Sequence, residues 1–141
     1  MSKTLLMIHG VGCGGDVWDR MIPFFEADGW TCEAPTLFPG RRVKSNPPQS
    51  LSELGIDDYI SAMSAKAKEI EKATGEKPAV IGHSMGGLIA QVLAERGDVS
   101  QAVFLTPAQP KGCAVIGPSV AITFLNILIQ QNRKKSYKVW R

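Results

Sequence analysis

Gly82-His83-Ser84-Met85-Gly86-Gly87 has the residue types and spacing of a turn that presents a nucleophile. It follows the apolar run Ala79-Val80-Ile81 and opens a stretch with helical apolar spacing, so a strand should run into a tight turn and then a helix. In a G-x-S-x-G turn of this kind the serine backbone is strained, and its hydroxyl is lifted out at the carboxyl end of the strand. Gly82 and Gly86 are needed because a side chain at either would collide with a neighbouring strand or helix. The start of the following helix aims main-chain N–H groups at the reaction centre, and the Met85 N–H is one candidate donor of an oxyanion hole. The bare pattern arises by chance about 0.05 times in such a chain, and the strand-turn-helix context makes it rarer still.

His9-Gly10-Val11-Gly12 is the second half of the candidate site. It follows the apolar run Thr4 to Ile8, again at the carboxyl end of an expected parallel strand, where ligands bind in open α/β sheets. A glycine-rich loop there can aim a second N–H, that of Val11, at the oxygen of a tetrahedral intermediate. Such loops also cradle phosphates, but neither a G-x-x-x-x-G-K-[ST] pattern nor a convincing ribose-binding carboxylate follows.

The elements that must position these loops are legible in outline. Thr4–Ile8, Thr31–Pro35, Ala79–Ile81 and Ala102–Leu105 read as strands buried in a sheet. Between the first two, Asp16 is the expected N-cap of a helix that buries Trp18, Ile22 and Phe25 and stops at Gly29, with Pro23 implying a kink or a late start. Ile56, Tyr59, Ile60, Met63, Ala67 and Ile70 recur at helical spacing up to a stop at Gly75. Met85–Arg96 is a further helix, with Leu88, Ile89, Val92 and Leu93 inward, and residues 36–52 form an irregular loop whose Arg41, Arg42 and Lys44 are read as solvated. Strands alternating with helix-length crossovers imply an α/β fold: a predominantly parallel sheet of about four strands with helices on both faces.

Composition fits one soluble domain. The 141 residues are 44% hydrophobic and 21% charged, which excludes a disordered tail, a collagen-like rod and a polytopic membrane protein. The net charge of +3 is local: five of the 16 basic side chains lie in residues 133–141, which leaves 11 basic against 13 acidic side chains elsewhere. Nucleic-acid binding is therefore not expected. Cys13, Cys32 and Cys113 have neither disulfide nor metal-ligand spacing, and no secretory signal is visible, so the expectation is a cytoplasmic protein with free thiols and no metal. Cys13 and Cys32 are expected to pack, and Cys113 to line a pocket wall. Residues 113–129 are nearly uncharged and strongly apolar, yet the run after Pro118 is too short for an integral membrane segment.

Taken together, the HG loop, Trp18, the Gly40 loop and GHSMGG resemble the N-terminal half of an α/β-hydrolase of the esterase and lipase kind, including the methylesterase-like branch. The resemblance covers residues 3–112. It implies the strand order second, first, third, fourth, and it makes residues 113–141 the start of a cap over the pocket. It also implies a serine hydrolase acting on small hydrophobic or acyl esters, with Ser84 as nucleophile, Val11 and Met85 as oxyanion donors, and no cofactor. His9, Gly10, Gly12, Gly82, His83 and Gly86 then support the site, with His9 holding its loop by hydrogen bonds and His83 packed toward the sheet. The family's triad runs Ser, then acid, then His. Here both histidines precede Ser84, and no Asp or Glu follows Asp98, which lies at the opposite end of the sheet. The chain thus reads as truncated before its triad acid and His and inactive alone, with a complementary C-terminal fragment or a homo-oligomer as partner. The alternatives are a non-catalytic binding protein on the same fold, and an acyl-transfer or lyase activity.

Overall fold

A computed structural model describes residues 3–41, 48–113 and 117. The described elements are β1 (Lys3–Ile8), α1 (Ile22–Ala27), β2 (Trp30–Glu33), α2 (Ile56–Thr74), β3 (Ala79–His83), α3 (Met85–Glu95) and β4 (Gln101–Leu105), with short 3-10 turns between them. The four strands form one sheet in the order β2-β1-β3-β4, and every pairing is parallel. This is the expected α/β arrangement. It follows from crossovers long enough to return the chain to the same edge of each new strand.

Alternation along the strands divides the core into two faces. Leu5 and Met7 of β1 and Ala79 and Ile81 of β3 share one face, where they pack with Trp18 and with Ile22 and Phe25 of α1. Leu6, Ile8 and Val80 point to the other face and are 1% exposed or less. There α3 lies across β1, β3 and β4, and α2 packs against α3. Burying each such side chain contributes roughly 1.5–3 kcal/mol, so β1, buried on both faces, is the centre of stability.

Two local expectations are corrected. Asp16 does not cap a helix: it lies inside a 3-10 turn, Gly15–Trp18, whose N-cap is Gly14. The chain must hug the second strand here, because a Cβ at Gly15 would overlap the Ala34 carbonyl. The helix proper starts only at Ile22, with Pro23 in its first turn, where the missing N–H costs nothing. The second strand runs Trp30–Glu33 rather than Thr31–Pro35, and α2 continues to Thr74, with Gly75 (φ 80°) as its left-handed stop.

By its contacts the chain divides into two compact units. Residues 1–37 and 56–108 form the sheet unit; residues 38–55 and 109–141 form the other. In the second unit the Arg41 side chain is engaged, not solvated: its Nη1 donates to the Ser50 carbonyl at 2.8 Å and its guanidinium lies 5.9 Å from the Phe38 ring centre. Arg42 and Lys44, and nearly all of the expected cap segment 113–141, lie outside the described residues. No helix among the described residues is long and apolar enough to cross a membrane.

Candidate active site

The sharp turn between β3 and α3 is built by glycines. A Cβ at Gly82 would overlap the carbonyl of Gly86, and a Cβ at Gly86 would overlap the carbonyl of Ile8 in β1. Helix α3 can therefore start directly above the ends of β1 and β3 only with bare backbone at both positions. Ser84, between them, has φ 55° and ψ −117°, a combination that L side chains rarely adopt. Its backbone is held on every side. The Ser84 N–H donates to the Leu105 carbonyl at 3.1 Å, and the Ser84 carbonyl accepts from the N–H groups of Ala108 (2.8 Å), Gly87 (3.0 Å) and Leu88 (3.2 Å). Such strain costs about 1–3 kcal/mol and persists only where the surroundings over-determine it.

The other loop lies against this turn. A Cβ at Gly10 would stand 3.1 Å from the Ser84 Cβ and 3.3 Å from His83 Nδ1. The loop reverses through Gly12 (φ 76°), and the Cys13 N–H closes it on the Gly10 carbonyl at 3.3 Å. His9 anchors its base. The ring is 3% exposed; Nε2 accepts from the Leu37 N–H at 2.9 Å, while Nδ1 lies 2.8 Å from the Gly10 carbonyl. These partners require the proton on Nδ1, so both ring nitrogens are engaged within the fold. Val11 projects at the tip, half exposed, and Met85 is the first residue of α3.

The structure therefore brings together Ser84, Met85, Gly82, Gly86 and the His9–Gly12 loop at the carboxyl ends of β1 and β3. It does not pack His83 as expected: that side chain is exposed where β3 ends. Asp98 lies at the far end of the sheet, where it accepts a 2.6 Å hydrogen bond from Ser64 Oγ and sits 3.9 Å from Lys68 Nζ. Trp18 is a core residue, 3% exposed, with its indole N–H unpartnered among the described residues. Cys13 and Cys32 are half-buried, but Cys113 is exposed rather than part of a pocket wall; all three are free. Burial first, and Glu26 second, push the Cys32 thiol above its ordinary range.

The sequence assigned no task to two contributors to the turn: Gly87, the last residue of GHSMGG, and the segment Leu105–Ala108 that binds both main-chain groups of Ser84. Two concavities are described, of about 360 Å³ beside Lys3, Glu76 and Ser100 and about 120 Å³ beside Phe25, Trp30 and Val103. Neither is lined by Ser84, and the larger lies at the amino ends of the strands, away from the turn.

The alpha/beta hydrolase family model matches residues 5–138. The chain belongs to the alpha/beta hydrolase family. Among curated proteins of this family it is similar to the esterase PIR7B of Oryza sativa subsp. japonica, 28% identical over 111 residues that cover 77% of the chain and 40% of that protein. Among solved structures it resembles the monoacylglycerol lipase of Paleococcus ferrophilus, with a TM-score of 0.61 at 21% identity over 92% of the chain and 47% of the lipase. Tomato methylketone synthase I, solved with 2-tridecanone, superposes with a TM-score of 0.58 at 23% identity over 94% of the chain and 50% of that protein. The chain spans about 40% of the length of the curated relatives it matches.

Proposed function

We propose that this chain carries the nucleophile-bearing part of a serine hydrolase acting on carboxylic esters. Ser84 Oγ attacks the carbonyl carbon, the Val11 and Met85 N–H groups hold the developing oxyanion, and the alcohol leaves before water releases the acid. The observation that supports this reading best is the Ser84 backbone, strained at φ 55° and pressed against Gly10. Neither the Val11 nor the Met85 N–H has a main-chain acceptor among the described residues, which suits two donors kept for a ligand. Esterases and lipases among the matched proteins favour the same chemistry.

The base lies outside these 141 residues. His9 has both ring nitrogens engaged, and His83, its only companion, is the immediate chain neighbour of Ser84. The reaction needs a triad acid and a triad His that these residues do not contain, the His taking the Ser84 proton. The open side of the sheet is β4, whose Val103 and Phe104 are 51% and 42% exposed on opposite faces. Losing triad members costs on the order of 10⁴–10⁶ in kcat, so the chain alone turns over negligibly. A hydrophobic acyl ester is the substrate class of this reading, and three free thiols suit the reducing cytoplasm.

A fluorophosphonate probe, offered to the chain together with a polypeptide that supplies the acid and the His, tests the reading, because the probe reacts with a base-activated serine. Labelling of Ser84 that is lost in Ser84→Ala supports a working nucleophile. A folded chain that takes up no probe favours a non-catalytic binding protein on the same fold.

A further inference from the structure

We infer that Leu105–Ala108 is a strap that fixes the presented backbone of Ser84, with Gly87 as the positioning residue that seats it. The inference deepens the reading of Ser84 as nucleophile and rests on it for its functional meaning. Three observations carry it. The strap satisfies both main-chain polar groups of Ser84: Leu105 accepts from its N–H at 3.1 Å and Ala108 donates to its carbonyl at 2.8 Å. To do so within four residues the strap must reverse, and it reverses at Thr106 with φ 40°. A β-branched residue in the left-handed region is a genuine outlier, so Thr106 is strained alongside Ser84, and the two strained residues are joined through these hydrogen bonds.

Third, the strap crosses the first turn of α3 with no clearance. A Cβ at Gly87 would stand 2.9 Å from both Cα and Cβ of Pro107 and 3.1 Å from the Gly82 carbonyl. Gly87 is therefore the seat of the strap, a task separate from those of Gly82 and Gly86. If the strap lifts, Ser84 loses two of its four main-chain hydrogen bonds, including that of its N–H, and only the Gly87 and Leu88 N–H groups still hold its carbonyl against relaxation of the strained φ. Residues that never touch a substrate would thereby set how the nucleophile is presented.

The full chain is tested by amide hydrogen exchange read residue by residue, together with the second-order rate of fluorophosphonate labelling in the presence of a polypeptide that carries the acid and the His. In Gly87→Ala the Ser84 amide should exchange at least about tenfold faster while the amides of Met7 and Ile81 stay within about twofold, because local opening is separate from global unfolding. Labelling should slow by a similar factor. Pro107→Gly loosens the strap without inserting an atom into α3, and it should shift the same amide in the same direction should Gly87→Ala fail to fold. Thr106→Gly takes the left-handed bend without strain, so it should keep both the Ser84 protection and the labelling rate while raising the melting temperature. Unchanged Ser84 exchange in Gly87→Ala and Pro107→Gly, or loss spread equally over the core amides, would overturn the strap. If wild type takes up no probe while exchange responds as stated, the strap stands and the nucleophile reading fails instead.

Discussion

Ser84 concentrates strain at one residue, and that has a thermodynamic signature. Glycine accepts φ 55° freely, so Ser84→Gly should stabilise the chain by about 1 kcal/mol, raising the melting temperature by roughly 3–5 °C, while abolishing probe labelling. A melt that drops would mean that the serine side chain contributes more than its backbone costs. His9 makes the opposite trade. Replacing it with Ala leaves the Leu37 N–H without its acceptor, and unfolding by urea should show a loss of about 2 kcal/mol or more. The thiols differ by burial. Cys32 resists ionisation because burial disfavours its thiolate, so alkylation by iodoacetamide at pH 8 should modify the exposed Cys113 well before Cys32.

At the scale of elements, the two sheet edges are managed differently. Strand β2 is short and carries charge: Lys3 lies 5.7 Å from the Trp30 ring centre, and Lys66 of α2 reaches Glu33 at 2.6 Å and Glu69 at 3.0 Å. Those hydrogen bonds, Glu33 first, raise the Lys66 amine above its ordinary 10.5. A cation held above its unfolded value contributes stability that is complete below about pH 10.5 and fades as the pH rises through the folded value. The pair is partly solvated, so Lys66→Met should lose less than about 1 kcal/mol at pH 7–9 by urea unfolding, and the difference should shrink as the pH rises past 10.5 through the folded value. Strand β4 has no such protection. Its Ala102, Val103, Phe104 and Leu105 are apolar on both faces, the composition of an interior strand of a parallel sheet, and its outer edge is unpaired among the described residues. The strands, α2 and α3 were legible from apolar spacing and glycine stops. The start of α1 was not, because the close approach of Gly15 to Ala34 decides where the chain can begin to coil.

For the molecule as a whole, β4 links stability to association. An unpaired strand with Val103 and Phe104 exposed on opposite faces is a template for a further strand, whether from a second copy or from a complementary polypeptide. Sedimentation velocity of the isolated chain should show concentration-dependent self-association. Val103→Lys should suppress it while changing unfolding free energy by no more than about 0.5 kcal/mol, since the side chain is half exposed. Self-association that survives the charge would place the contact elsewhere. Adding a polypeptide that carries the later strands with an acid and a His should compete with self-association and restore ester hydrolysis together.

Sequence alone determined the elements, their parallel alternation and the glycines of the turn, because each is a local rule of periodicity, bond rotation or steric room. It also determined that two histidines precede the serine and none follows, a matter of chain order. Tertiary structure alone decided what those residues do. That both nitrogens of His9 are taken depends on Leu37, 28 positions away, and that Gly87 must be bare depends on Pro107, 20 positions away. The motif announces strain at Ser84, but no propensity announces the left-handed backbone at Thr106, a residue type that avoids that region; both exist because hydrogen bonds between separate segments outweigh the local preference.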